Sequence, residues 1–164
     1  MIIKLARIDD RLIHGQVTTV WSKEANANRI IIVSQEVFND PIRKQLLKQA
    51  SPPGMKVNIV DVEKAIAVFN NPKYNDETVF YLFTNPSEAL ALIEGGVPIK
   101  TLNIGGMQFK DGKKQITKAV SLNEKDVAAF RKLAKLNVNL DLRVVKTDPT
   151  TNILTKIDET FGPE

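Results

Sequence analysis

The sequence contains one histidine, His14, near the end of the run Ala6-Arg7-Ile8-Asp9-Asp10-Arg11-Leu12-Ile13-His14-Gly15-Gln16. Near neutral pH an imidazole can act as nucleophile, general base or metal ligand. Arg7 and Arg11 precede it within one short stretch. Their permanent positive charges oppose a bound cation, so the run argues against a metal site despite Asp9 and Asp10. Guanidinium groups do match phosphate oxygens. Gly15 allows close approach of backbone to a ligand. The helical pattern that follows offers unpaired N–H groups and a positive dipole end. A lone loop histidine is more often an ordinary surface residue, but these neighbours favour an anion site with a nucleophile at its centre. Asp9 and Asp10 would repel a phosphate unless they pair with the arginines or bind loop N–H groups, which would make them loop-orienting residues. A merely solvated Asp10 is the simpler alternative.

The elements that must position this run can be read from hydrophobic periodicity. Ile2 to Ile8, Arg29 to Val33, Lys56 to Val60, Thr78 to Phe83 and Thr101 to Ile104 read as strands rich in β-branched and aromatic residues. Gln115 to Val120 reads as a sixth strand, and the alternating Val138 to Val145 as an edge strand. Helical patterns lie between them. Gly15 to Ala25 carries Val17, Val20, Trp21 and Ala25. Asp40 caps a helix with Pro41 at its first position and an apolar face of Ile42, Leu46 and Leu47. Asp61, Asn85-Pro86 and Asn123 open three more helices, and Asn152 to Thr160 a short last one. Gly105-Gly106 and Asp111-Gly112 read as a loop or hairpin. The pattern predicts an open, mostly parallel, twisted α/β sheet of six or seven strands, with helices on both faces and one late antiparallel step. Ligands of such sheets bind beyond the carboxyl ends of the strands. His14 belongs to that rim, and Thr84 after the fourth strand could add a hydroxyl. Thr84 could equally do no more than start the next helix.

Composition bounds the reading. The 164 residues form one domain, 1–164, by the usual size prior. The chain has no cysteine, which fits a reducing cytoplasm. No apolar run reaches the ~20 residues that span a bilayer. The start Met1 to Arg7 is too short and too charged for a signal peptide. A net charge of +4 is mild, and basic residues lie at Arg43-Lys44 with Lys48, Lys110 to Lys114, and Arg131-Lys132 with Lys135. Without aromatic interleaving these clusters do not make a nucleic-acid platform. No nucleotide-binding glycine loop and no nucleophile elbow is present. A phosphate site with a histidine but no nucleotide cradle implies that the phosphate arrives already activated.

The sequence resembles the IIB components of the bacterial phosphoenolpyruvate-dependent sugar phosphotransferase system, in the mannose/fructose/sorbose class. The likeness is carried by Arg7 to Gln16, Asp40 to Leu47, Pro52-Pro53-Gly54, Asn70 to Tyr74, Leu82 to Pro86, Asn103 to Met107, Ser121 to Asp126 and Thr147-Asp148-Pro149. It looks most like the mannose-type members. The resemblance implies that His14 is transiently phosphorylated by a histidine on a IIA protein or domain. His14 then passes the group to a hexose held by the membrane IIC and IID components. It implies that Arg11, and with less support Arg7, hold the phosphate, and that no cofactor is needed. Gly15, Gln16 and Thr84 complete the expected phosphate site. The implied location is cytoplasmic, at the periphery of the membrane transporter. Because two partners must reach His14, an exposed loop on a fairly flat face is expected. A regulatory module that binds a phosphorylated ligand at the same anion site is the alternative. A phosphate-releasing hydrolase is weaker, since no further general base is visible.

Overall fold

The computed structural model describes residues 1–164, the side chains of Gln16 and Val17 excepted. In chain order the elements are β1 (Ile2–Asp9), α1 (Gly15–Ala25), β2 (Arg29–Val33), α2 (Gln35–Phe38), α3 (Pro41–Gln49), β3 (Lys56–Val60), α4 (Val62–Phe69), β4 (Thr78–Phe83), α5 (Pro86–Glu94), β5 (Thr101–Gly106), β6 (Lys114–Thr117), β7 (Val120–Leu122), α6 (Glu124–Lys135), β8 (Asn139–Leu142) and α7 (Ile153–Phe161). Six strands form one sheet in the order β3-β2-β4-β1-β5-β8, and every pairing within it is parallel.

Each strand sends alternate residues to opposite faces, and both faces are covered. Ile31, Val33, Val79, Tyr81 and Phe83 join residues of α4, α5, α6 and α7 in the larger core. Ile30, Ile32, Phe80 and Leu82 join Leu12, Trp21 of α1, Val37 of α2 and Leu47 of α3 in the other. Side-chain caps start the helices where expected: Asp40, Asp61, Asn85 and Asn123 each accept from a backbone N–H three residues on. Asn123 and Asp126 close a reciprocal capping box.

The antiparallel step is present but lies outside the main sheet, as a separate pair of β6 and β7. Gly105 and Gly106 were expected in a turn, yet they continue β5 beside β1 and are buried. Ile42 and Leu46 were expected to face the core. They are 75% and 60% exposed, and Leu47 alone of that trio is buried. The short helix α2 had no periodic signal of its own.

The order of strands places the site. β1 leads through α1 toward β2 on one face, whereas its neighbours β4 and β5 lead to elements packed on the other. Loops leaving adjacent strands toward opposite faces open a crevice at their carboxyl ends. The stretch from Asp9 to Gly15 occupies that position.

Candidate functional site: the loop after β1

Asp9, the last residue of β1, is the hub of the site. Its carboxylate is 1% exposed and accepts from three side chains. Arg7 Nη2 lies 3.1 Å from Oδ2. Arg11 donates through Nε to Oδ1 at 3.2 Å and through Nη2 to Oδ2 at 3.3 Å. His14 Nε2 is 3.0 Å from Oδ2, and the Arg11 backbone N–H adds a bond to Oδ1. Burial alone would raise the Asp9 carboxyl. The hydrogen bonds from Arg11 and His14, with the charge of Arg7, outweigh it and hold the group below its usual range. An ionised carboxylate can only accept, so Nε2 is the donor in this bond, and in the uncharged form of the ring the lone pair falls on Nδ1.

Arg7 sits beneath this hub. Its side chain is 2% exposed. Besides Asp9, its terminal nitrogens donate to Asn103 Oδ1 at 2.5 Å and to the carbonyls of Arg143 and Val144 at 3.2 and 3.1 Å. The guanidinium also stacks 4.8 Å from the Trp21 ring, whose Nε1–H donates to the same Val144 carbonyl. Desolvation lowers the Arg7 pKa, and Asp9 opposes that shift. Gly105 is required here by space rather than by a turn, because a Cβ at that position would fall inside the Arg7 guanidinium. Arg7 is therefore buried and turned toward these protein acceptors. Arg11 is different: 40% of its side chain is exposed, at the lip of the site.

The loop geometry presents the imidazole. Leu12 adopts a left-handed conformation, φ 61°, which costs a branched residue about 1 kcal/mol or more. Its side chain is buried in the core beside Trp21, and its N–H donates to the Asp9 carbonyl. The Thr18 hydroxyl accepts from His14 N–H at 3.1 Å and donates to the Leu12 carbonyl at 3.2 Å. His14 occupies the N-cap of α1 in extended conformation, but its side chain does not cap the helix. The imidazole is thereby left for chemistry, 24% exposed. Gly15 follows at φ 50°, with open space where a side chain would stand. The loop is exposed at Arg11 and Gly15, but the His14 ring itself is only partly so, since it leans onto Asp9.

The other candidates fall at varying distances from this cluster. Asp10 is tied rather than solvated: Oδ2 accepts from Gln108 N–H at 2.7 Å, and its N–H donates to the Gly106 carbonyl. Arg43 of α3 donates to the Asp10 carbonyl. The Thr84 hydroxyl is directed at Glu88 and accepts from Asn85, within the start of α5. The Gln16 side chain lies outside the described residues. Asn103 and Trp21, which hold Arg7, are named in the sequence only as part of the family likeness and as an apolar helix position, not as site residues. A polar residue inside the buried strand β5 was the available signal for Asn103.

The family described as "PTS system sorbose subfamily IIB component" matches residues 3–160. The chain belongs to this family of phosphotransferase-system IIB components. It is 74% identical over all 164 residues to a sorbose-specific EIIB component of Lacticaseibacillus casei, with both chains fully covered. It is 54% identical over 162 residues to the mannose-specific EIIAB component of Escherichia coli, covering 97% of this chain and 50% of that one. The crystal structure of the IIBSor domain of the sorbose permease from Klebsiella pneumoniae superposes with a TM-score of 0.96 at 68% identity, covering 98% of each chain. The sorbose-specific relatives thus exceed the mannose-type ones in likeness, which corrects the expected leaning toward mannose. As a IIB component the chain is a phosphotransferase that works with IIA and membrane IIC and IID components in sugar uptake.

Proposed function

We propose that His14 is the phosphoryl carrier and that Nδ1 is the atom that carries the group. The observation behind this is the bond between Nε2 and the buried Asp9 carboxylate, which directs the other nitrogen away from the hub. In the first transfer the Nδ1 lone pair attacks the phosphorus of a phosphohistidine on IIA. The new N–P bond forms as the donor N–P bond breaks, and the donor imidazole leaves with its electron pair. Because Nε2 keeps its proton, the His14 ring becomes cationic, and Asp9 offsets that charge without moving. In the second transfer a sugar hydroxyl attacks phosphorus, the electron pair returns to Nδ1, and the hydroxyl proton is released.

The remaining residues have distinct duties in this reading. Arg11, at the lip, binds phosphate oxygens together with the Gly15 and Gln16 backbone N–H groups at the start of α1. Arg7 fixes Asp9, and Asp10 fixes the loop. Thr84 is assigned to the helix start rather than to phosphate. The names of the more similar relatives support sorbose as the sugar, ahead of a mannose-class hexose. No helix among the described residues is long and apolar enough to cross a membrane, and we place the chain at the cytoplasmic face of its transporter.

The test is mass labelling with phosphoenolpyruvate, the general phosphotransferase proteins and IIA. One acid-labile phosphate should appear on His14 and be absent from His14→Gln. Labelling of His14→Gln would contradict the assignment. Tight, non-covalent binding of a phosphate ester without labelling would support a sensing module instead.

A further inference from the structure

We propose that Asp148 is a positioning residue for phosphoryl transfer: its carboxylate locks the loop after β8 so that the carbonyls of Arg143 and Val144 hold Arg7, and through Arg7 and Asp9 it aims the His14 ring. The proposal rests on the carrier reading above. Thr147-Asp148-Pro149 carries part of the family likeness, yet none of the three lies in the core or in the cluster around His14.

β8 ends at Leu142, and no helix or strand follows until α7. Two of the four acceptors of the buried Arg7 guanidinium nonetheless lie in this stretch. Carbonyls outside a helix or a sheet ladder need some other partner to set their direction. Asp148 supplies it. Its Oδ2 accepts from the N–H groups of Val144 and Val145 at 3.0 and 3.1 Å. Its own N–H returns a bond to the Val145 carbonyl at 3.1 Å.

Peptide geometry carries that grip to Arg7. In a planar trans peptide the carbonyl and the N–H point opposite ways. The oxygen that holds Val144 N–H therefore aims the Arg143 carbonyl, and by holding Val145 N–H it aims the Val144 carbonyl. The Arg143 carbonyl accepts from Arg7 Nη1 at 3.2 Å and from Asn103 Nδ2 at 3.1 Å. The Val144 carbonyl accepts from Arg7 Nη2 and from Trp21 Nε1, both at 3.1 Å. Each carbonyl thus has two donors, so turning either peptide breaks two bonds. Arg7 is 2% exposed, and water does not replace a lost acceptor there. A guanidinium short of acceptors leans on the nearest one left. Here that is Asp9 Oδ2, the same oxygen that His14 Nε2 uses.

Asp148→Ala removes the acceptor and leaves the rest of the loop. Two NMR signals read the change without any phosphate. The Trp21 Nε1–H resonance should move as the Val144 carbonyl turns away. The His14 Nε2–H should exchange faster with solvent as its bond to Asp9 loosens. Labelling of His14 by phosphoramidate, a small donor, should slow about tenfold, within the roughly 10²-fold that a distant misplacement can cost. Cooperative melting should be kept. Asp148→Asn should restore both signals and the rate, because one oxygen makes both bonds and an amide oxygen also accepts. Unaltered signals or an unaltered rate in Asp148→Ala would overturn the proposal. So would an asparagine variant as impaired as the alanine one, or loss of cooperative folding, which would make Asp148 a residue of the fold alone. If neither phosphoramidate nor phosphorylated IIA labels the unaltered protein, the carrier reading falls, while the two signals still decide whether Asp148 sets Arg7 and the His14 ring.

Discussion

Asp9 decides which nitrogen of His14 is available, and it does so from a buried position. Asp9→Asn keeps the shape but removes the charge that offsets a phosphorylated imidazolium. It also permits the wrong tautomer. Labelling of His14 should slow by up to roughly 10⁴-fold, the loss seen when an orienting carboxylate is neutralised. Melting should show a loss of about 3 kcal/mol, because Arg7 is left buried beside an uncharged amide. The pH dependence has a definite sign. Asp9 is held below its usual value in the folded chain, so its contribution to stability is complete above the ordinary carboxylate range. That contribution is lost as pH falls through the lower folded value. The stability gap between the protein and Asp9→Asn, followed by melting, should therefore close in acid. Arg11→Ala acts on a half-exposed side chain. It should leave melting within about 1 kcal/mol and slow transfer by roughly 10²-fold or more. His14, Asp9 and Arg11 were all visible in the sequence as chemistry-bearing types. Pairing of Asp9 with the arginines was legible too, but the place of the imidazole on the same carboxylate was not, because it depends on a loop held in an uncommon conformation by Leu12 and Thr18.

At the scale of elements, β1 and β5 must lie flat against each other over the Arg7 guanidinium, and α1 must begin at a residue that tolerates positive φ. Gly105→Ala should destabilise by roughly 1–3 kcal/mol, since the buried Cβ would displace Arg7. It should also impair His14 labelling. Gly106→Ala, whose Cβ would lie 3.3 Å from Arg11 Nη2 and Asp9 Oδ1, should be milder. Gly15→Ala meets open space, so its cost, about 1–2 kcal/mol, is that of the left-handed backbone alone. Chemical denaturation of the three variants gives the ranking directly. The strands and caps were legible because β-branched runs and Asp-Pro or Asn-Pro starts act locally. Gly105-Gly106 misled, because glycine in a strand and glycine in a turn look alike until the neighbouring side chain is known. Ile42 and Leu46 misled for a related reason: helical spacing reveals an apolar stripe, but not whether the fold covers it.

At the scale of the whole molecule, a parallel sheet with cores on both faces holds the loop after β1 in a crevice between diverging crossovers. A relay needs such a rigid seat that two partners can reach in turn, and the mild positive charge of the chain suits a transient, salt-sensitive encounter. The β-α-β rhythm made this architecture legible, whereas the separate β6-β7 pair could be seen only as an antiparallel step without a place. In the proposed relay Nδ1 of His14 carries the phosphate while Nε2 stays on Asp9. Nitrogen-15 NMR of the imidazole, recorded before and after phosphorylation by IIA, tests it most directly. The free protein should show an Nε2–H tautomer, and the phosphorylated one phosphorus coupling to Nδ1. Phosphorus coupled to Nε2, or an unmodified His14 ring, would contradict it.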